Sequence, residues 1–134
     1  MSNATASQRA YAASQTAYRR GEVLAATPGQ LVVLLYDGAR RFLRQASMAM
    51  RAGEVERAHK TLRRGEMIIG HLDTTLDFEQ GDVADRLHAI YTFCLSHLSG
   101  ARMGQDSTKV DEVSRLLGEL RDAWAQAAAE VEHG

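Results

Sequence analysis

The chain has 134 residues, 45% of them hydrophobic and 25% charged, with a formal net charge of −1, which is one domain of ordinary globular composition, long enough to bury a core without staples. A single cysteine, Cys94, excludes an internal disulfide and fits a reducing compartment; no apolar run approaches a membrane span, and no basic patch followed by an apolar stretch opens the chain, so neither membrane insertion nor a secretory leader is expected. The near-neutral total hides a segregation, because residues 1–65 carry eleven Lys and Arg against four Asp and Glu, and residues 66–134 carry five against thirteen. Either a basic half docks on an acidic half of the same domain, which is the favoured expectation, or a basic surface awaits an acidic partner. No aromatic residues interleave the cations, so nucleic acid is not an expected partner.

Residues 1–22 are rich in Ala, Ser, Gln and Thr, with Tyr11 and Tyr18 as their bulky apolar groups. This composition predicts a flexible N-terminal arm ahead of a bundle domain over 23–134. Thr27-Pro28-Gly29-Gln30 is a helix start: Thr27 suits the N-cap, Pro28 the first helical position and Gln30 a capping box. The first helix then runs to about Ala52, where Gly53 can take the left-handed conformation that ends it. A second helix is predicted from about Glu54 to Phe78, with a seam of Val55, Ala58, Leu62, Gly65, Ile69, Leu72 and Leu76 in steps of three and four. Glycine on that seam permits close approach of another backbone.

Gly81 breaks the chain and Asp82 is the expected cap of the third helix, whose seam is Leu87, Tyr91, Cys94, Leu98 and Ala101. Gly104 ends it. Asp106 or Ser107 starts a fourth helix, with Val110, Val113, Leu117, Leu120, Trp124, Ala127 and Val131 along its seam. Four stripes on four helices joined by short connections predict an all-α, antiparallel up-down-up-down four-helix bundle.

Signals for chemistry are sparse. Asp85-x-x-His88 is a loose relative of the Glu-x-x-His element of di-iron bundles, but it has no second copy, so no metal or other cofactor is expected. His59 with Leu62 and Gly65 faintly resembles a histidine phosphotransfer motif. The glycine comes six residues after the histidine, where a helix has turned about 600°, so a solvated histidine is the preferred reading and a phosphotransfer-like signalling bundle the alternative. Cys94 falls on a core stripe, where a thiol is inert. No enzyme is expected.

A set of segments carries a resemblance: Tyr18 to Val23, then Ala26-Thr27-Pro28-Gly29-Gln30-Leu31 and Leu35-Tyr36-Asp37-Gly38-Ala39; Ile68-Ile69 with Leu72, followed by Leu76 to Gly81; Leu87 with Ile90-Tyr91, Phe93 and Leu98; and Asp106 with Glu112-Val113, Leu116-Leu117, Leu120-Arg121 and Ala123-Trp124. Their order and spacing over roughly residues 10–128 resemble the FliS family of flagellar secretion chaperones. The chain departs from the family at Ala101 to Asp106, where an Asn pair is usual, at Ser96-His97 in place of a double arginine, and at Ala25-Ala26-Thr27. The resemblance implies a cytoplasmic, non-enzymatic chaperone. Its client is the C-terminal region of flagellin, disordered when free, and a flagellar export-gate component is a further partner the family suggests. It also implies apolar partner-binding residues, expected at Tyr18, Val23, Leu31, Leu34, Leu35, Ile69, Leu76, Leu87, Ile90, Tyr91, Phe93 and Leu98.

Overall fold

The computed structural model describes residues 28–133. Four helices follow one another: α1 Pro28–Arg51, α2 Val55–Thr74, α3 Asp82–Gly104 and α4 Ser107–His133, with one 3-10 turn, Phe78–Gln80, between α2 and α3. Pro28 is the first helical residue, as its fixed φ and missing N–H favour. Gly53 leaves α1 at φ 74°, and Glu54 N–H returns to the Ala49 carbonyl at 2.9 Å. The expected arm over 1–22, with Tyr18, and the following Val23 lie outside the described residues.

Two helix ends differ from expectation. The second helix ends at Thr74 and not at Phe78, because Thr74 and Thr75 turn their hydroxyls back onto the His71 and Leu72 carbonyls at 3.0 and 2.9 Å; such local bonds offer the backbone an alternative to continuing the helix. Asp82 is not the cap of α3 but its first residue. Gly81, at φ 84°, occupies the cap position, and the Asp82 and Asp85 carboxylates sit in the first turn, where the helix dipole favours them. Gly104 does close α3, with Gln105 left-handed at φ 49°, and Asp106 caps α4 by accepting the Thr108 N–H at 3.0 Å.

The pairings are antiparallel, with α1 packed closely on α2 and α4, and α3 joined to the same two helices less intimately. The third-helix seam is buried along its whole length, as are Ala58, Leu62, Gly65, Ile69 and Leu72 of α2. At Gly65 a β-carbon would stand 2.9 Å from Leu43 Cδ2 and 3.5 Å from the Ala39 carbonyl oxygen, so the bare backbone lets α1 and α2 approach. Val55, expected on the seam, is exposed. On α4 the seam holds for Val110, Val113 and Leu117, and Leu120 and Trp124 pack partly buried against the core. Ala127 and Val131 face solvent, and a β-carbon on Gly29 would meet Ala128 Cβ at 3.0 Å, so at this end α1 approaches α4 at Ala128. A strict seven-residue repeat drifts by about 20° per heptad on a straight helix, which moves the buried face off the late seam positions.

Among the described residues the charge segregation is met in part by contacts between the two halves. Arg51 pairs with Asp111 and Arg40 donates to the Ser114 carbonyl at 3.0 Å; further bridges between helices draw their cations from the second half, Arg102 to Glu66, Arg121 to Asp37, His88 to Asp73 and His97 to Glu112.

Candidate functional site

Because α2 stops at Thr74, the chain turns a corner before α3 begins. Asp77 Oδ1 accepts the Glu79 N–H at 3.0 Å and holds the 3-10 turn. Gly81 then redirects the backbone into α3. The corner carries Leu76 and Val83 outward, and between it, the start of α1 and the later turns of α4 there is an apolar recess of about 220 Å³. Val32, Leu72, Leu76, Val83, Leu87 and Trp124 line it, with Tyr91 as its most deeply buried wall and Thr75 and Asp77 as its polar members. Mostly apolar walls with a few placed polar groups are the usual composition of a binding recess.

Beneath the recess the two largest fully buried side chains meet across the bundle: the hydroxyls of Tyr36 on α1 and Tyr91 on α3 lie 2.5 Å apart. Burial drives the ionisation of both phenols upward, so both stay protonated, one donating to the other. Cys94 is fully buried one turn along α3, and desolvation pushes its thiol up to about 11, as the inert core position requires.

The expected partner-binding residues separate into groups. Leu76, Leu87 and Tyr91 come together in the recess. Leu35 and Ile90 are partly buried against the core beside it, and Leu31 and Leu34 are half-buried on α1. Ile69 and Leu98 are fully buried and present no surface. Phe93 is 53% exposed and stacks on His97 with ring centroids 5.1 Å apart. Val32 lines the recess as well, and Leu72, Val83, Ala84 and Trp124 join it without having been expected at a partner surface. Leu72 and Trp124 were legible as seam positions, but a recess built where four helices meet has no signature along any one of them.

The chemical candidates dissolve into surface pairs. His88 meets Asp73 on α2 at 2.7 Å. His59 is exposed and accepts the Arg102 Nε–H on Nδ1 at 3.2 Å. Among the described residues no group of three metal-ligating side chains converges, and no helix is long and apolar enough to cross a membrane.

Fold and recess define a class: an all-α four-helix bundle with an open apolar recess where the corner after α2 faces α4. Comparison with known proteins makes this specific. The profile described as Flagellar protein FliS matches residues 10–131. Over 112 residues the chain is 33% identical to the flagellar secretion chaperone FliS of Bacillus subtilis, covering 84% of each chain. Over 106 residues it is 32% identical to that of Salmonella typhimurium, covering 78% of each. Over 104 residues it is 33% identical to the flagellar secretion chaperone FliSB of Pseudomonas aeruginosa, covering 77% of this chain and 82% of the other. A crystal structure described as a flagellar chaperone from bacteria superposes with a TM-score of 0.73 at 16% identity, covering 87% of this chain and 98% of that one, and so shares the fold. The chain belongs to the FliS family of flagellar secretion chaperones.

Proposed function

We propose that this protein is a non-enzymatic cytoplasmic chaperone of flagellin, binding its C-terminal segment, preventing premature polymerisation and keeping the client competent for flagellar export. The observation that carries the reading is the open apolar recess at the corner after α2. A client segment disordered when free lays amphipathic helical turns against such a surface, and the cost of ordering it moderates the affinity, which suits a cargo that must be released. Leu76, Leu87 and Tyr91 receive the client's apolar side chains at the recess, with Ile90 and Phe93 extending the contact along α3 and Leu31, Leu34 and Leu35 along α1. Names of the relatives support the chaperone class. An export-gate component is a second partner in this reading. In this reading Tyr18 belongs to an arm over 1–22 that occupies the recess until the client displaces it, and Val23 follows that arm.

Calorimetry of the full chain with the organism's own flagellin C-terminal peptide of about 40 residues tests this. Saturable one-to-one binding with a negative heat-capacity change is expected. Val83, 60% exposed on the recess wall, offers a variant that spares the core, and Val83→Asp should weaken binding about tenfold with helicity unchanged, as placing a charge in an apolar contact does. Deleting residues 1–20 should tighten it. Absence of binding removes the client assignment, and unchanged affinity on the deletion removes the arm's role.

A further inference from the structure

Between α1 and α4 runs a cleft whose middle carries cations that no carboxylate answers. Its register is fixed by contacts along it: Asp37 with Arg121, Arg40 with the Ser114 carbonyl, and Arg51 with Asp111. Arg44 lies one turn beyond Arg40 on the same stripe of α1, so the antiparallel register sets it across from Ser114 and Arg115 of α4. The Arg40 guanidinium is seated as well as held. A β-carbon on Gly118 would stand 2.8 Å from its Cζ and 3.0 Å from Nη2, so the guanidinium rests where any other residue would carry a side chain. Arg40 is half-buried, and Arg44 and Arg115 are exposed. Among the described residues none of the three forms an ion pair with a carboxylate. The acids on the same stripes are engaged elsewhere or unbridged: Asp37 is taken by Arg121, Asp111 by Arg51, and Glu119, one turn beyond Arg115, makes no bridge to it. Like charges one turn apart destabilise a helix, and an anion from outside would relieve them.

We propose that this cleft is a docking site for an acidic helical segment of a partner polypeptide, separate from the client recess, which none of the three arginines lines. Arg40 and Arg44 stand about 6 Å apart along α1, the rise of roughly one helical turn. Carboxylates at i and i+4 on a partner helix laid along the cleft therefore meet them in step, with Arg115 closing from the other wall. Arginine's planar fork takes a carboxylate in two parallel bonds. An Arg40 already held by Ser114 and seated on Gly118 loses little freedom on pairing. Met48, one turn beyond Arg44 and 62% exposed, offers an adaptable apolar contact to an amphipathic helix. The ends of the cleft select a short acidic segment over an extended polyanion. Its closing ion pairs lie about 21 Å apart along α1, and they present Asp37 and Asp111 to anything that overruns it.

The test is fluorescence anisotropy of the full chain with a labelled alanine-rich peptide of about 16 residues carrying glutamates one turn apart. Binding at low salt, weakened by added sodium chloride, is expected, with none for the same peptide bearing glutamines in their place. Arg44→Gln/Arg115→Gln should weaken binding about tenfold, roughly threefold per exposed pair, with circular dichroism unchanged. Gly118→Ala removes no charge and improves helix propensity, yet it unseats Arg40 and should weaken binding about fivefold. Arg63→Gln, an exposed change on α2, alters the net charge as much as either arginine change alone and should leave affinity within about twofold. No binding of the glutamate peptide at low salt overturns the proposal, as does a double variant or a Gly118→Ala variant that binds like the unaltered chain. An Arg63→Gln variant that loses as much as the double one overturns it by reducing the attraction to net charge. Displacement of the peptide by equimolar inorganic phosphate also overturns it, by assigning the cleft to a small oxyanion.

Discussion

The Tyr36–Tyr91 contact is the one buried side-chain hydrogen bond that spans the bundle's diagonal, joining two helices that otherwise meet little among the described residues. Its worth lies less in the bond than in the cost of half of it. A buried hydroxyl stripped of its partner loses about 1–3 kcal/mol, while removing both partners leaves nothing unsatisfied. Tyr36→Phe should therefore destabilise the protein by about that amount in urea unfolding, and Tyr91→Phe by a similar amount. The double variant should cost clearly less than the two singles added, because the coupling belongs to the pair. Strict additivity would mean that water already satisfies each hydroxyl and that the diagonal link is incidental.

At the scale of the helices, small residues decide how closely α1 approaches its neighbours. Gly65 and Gly70 both sit inside α2, and helix propensity alone says that alanine at either should stabilise by about 1 kcal/mol. The surroundings split them. A β-carbon on Gly65 would come within 2.9 Å of Leu43 Cδ2 and 3.3 Å of its Cγ, a side chain fully buried in the core that would have to shift, whereas one on Gly70 would meet nothing within 4 Å. Gly65→Ala should therefore destabilise by roughly 1–2 kcal/mol, overpacking outweighing propensity, and Gly70→Ala should stabilise by roughly 0.5–1 kcal/mol, both read from thermal or urea midpoints. The contrast also marks what was legible in the chain. The spacing of Leu62, Gly65 and Ile69 placed the seam, and the breaks at Gly53 and Gly104 placed the helix ends, because those signals are local. The early stop at Thr74, set by hydroxyls competing for carbonyls, and the passage of the α1 contact to Ala128 depend on neighbours that no local pattern names. The recess inherits this: Leu76, Leu87 and Tyr91 were expected at a partner surface, while Val83 and Trp124 join them only because the corner after α2 faces α4.

Across the whole molecule, packing is uneven in a way that bears on client exchange. Helix α1 is wedged between α2 and α4 through Ala39, Ala46, Gly65 and Gly118, whereas α3 leans on the same helices with its outer Phe93, Val83 and Met103 exposed and its edges held by His88–Asp73, His97–Glu112 and Arg102–Glu66. Surface pairs of this kind contribute little each, so α3 is held mainly by its single seam. Local opening follows the density of buried contacts. Native-state hydrogen exchange should accordingly find the slowest amides in the middle of α1, with α3 exchanging well before it. A saturating flagellin C-terminal peptide should slow exchange most at the end of α2, the corner through Phe78, and the first turns of α3, where the recess lies. Protection confined to the outer faces of α1 and α2 would put the client elsewhere and strip the recess of its role. Protection at the recess would mean that the loosest helix is the one the client holds, so that binding stabilises the bundle where it is weakest and release restores an α3 free to open.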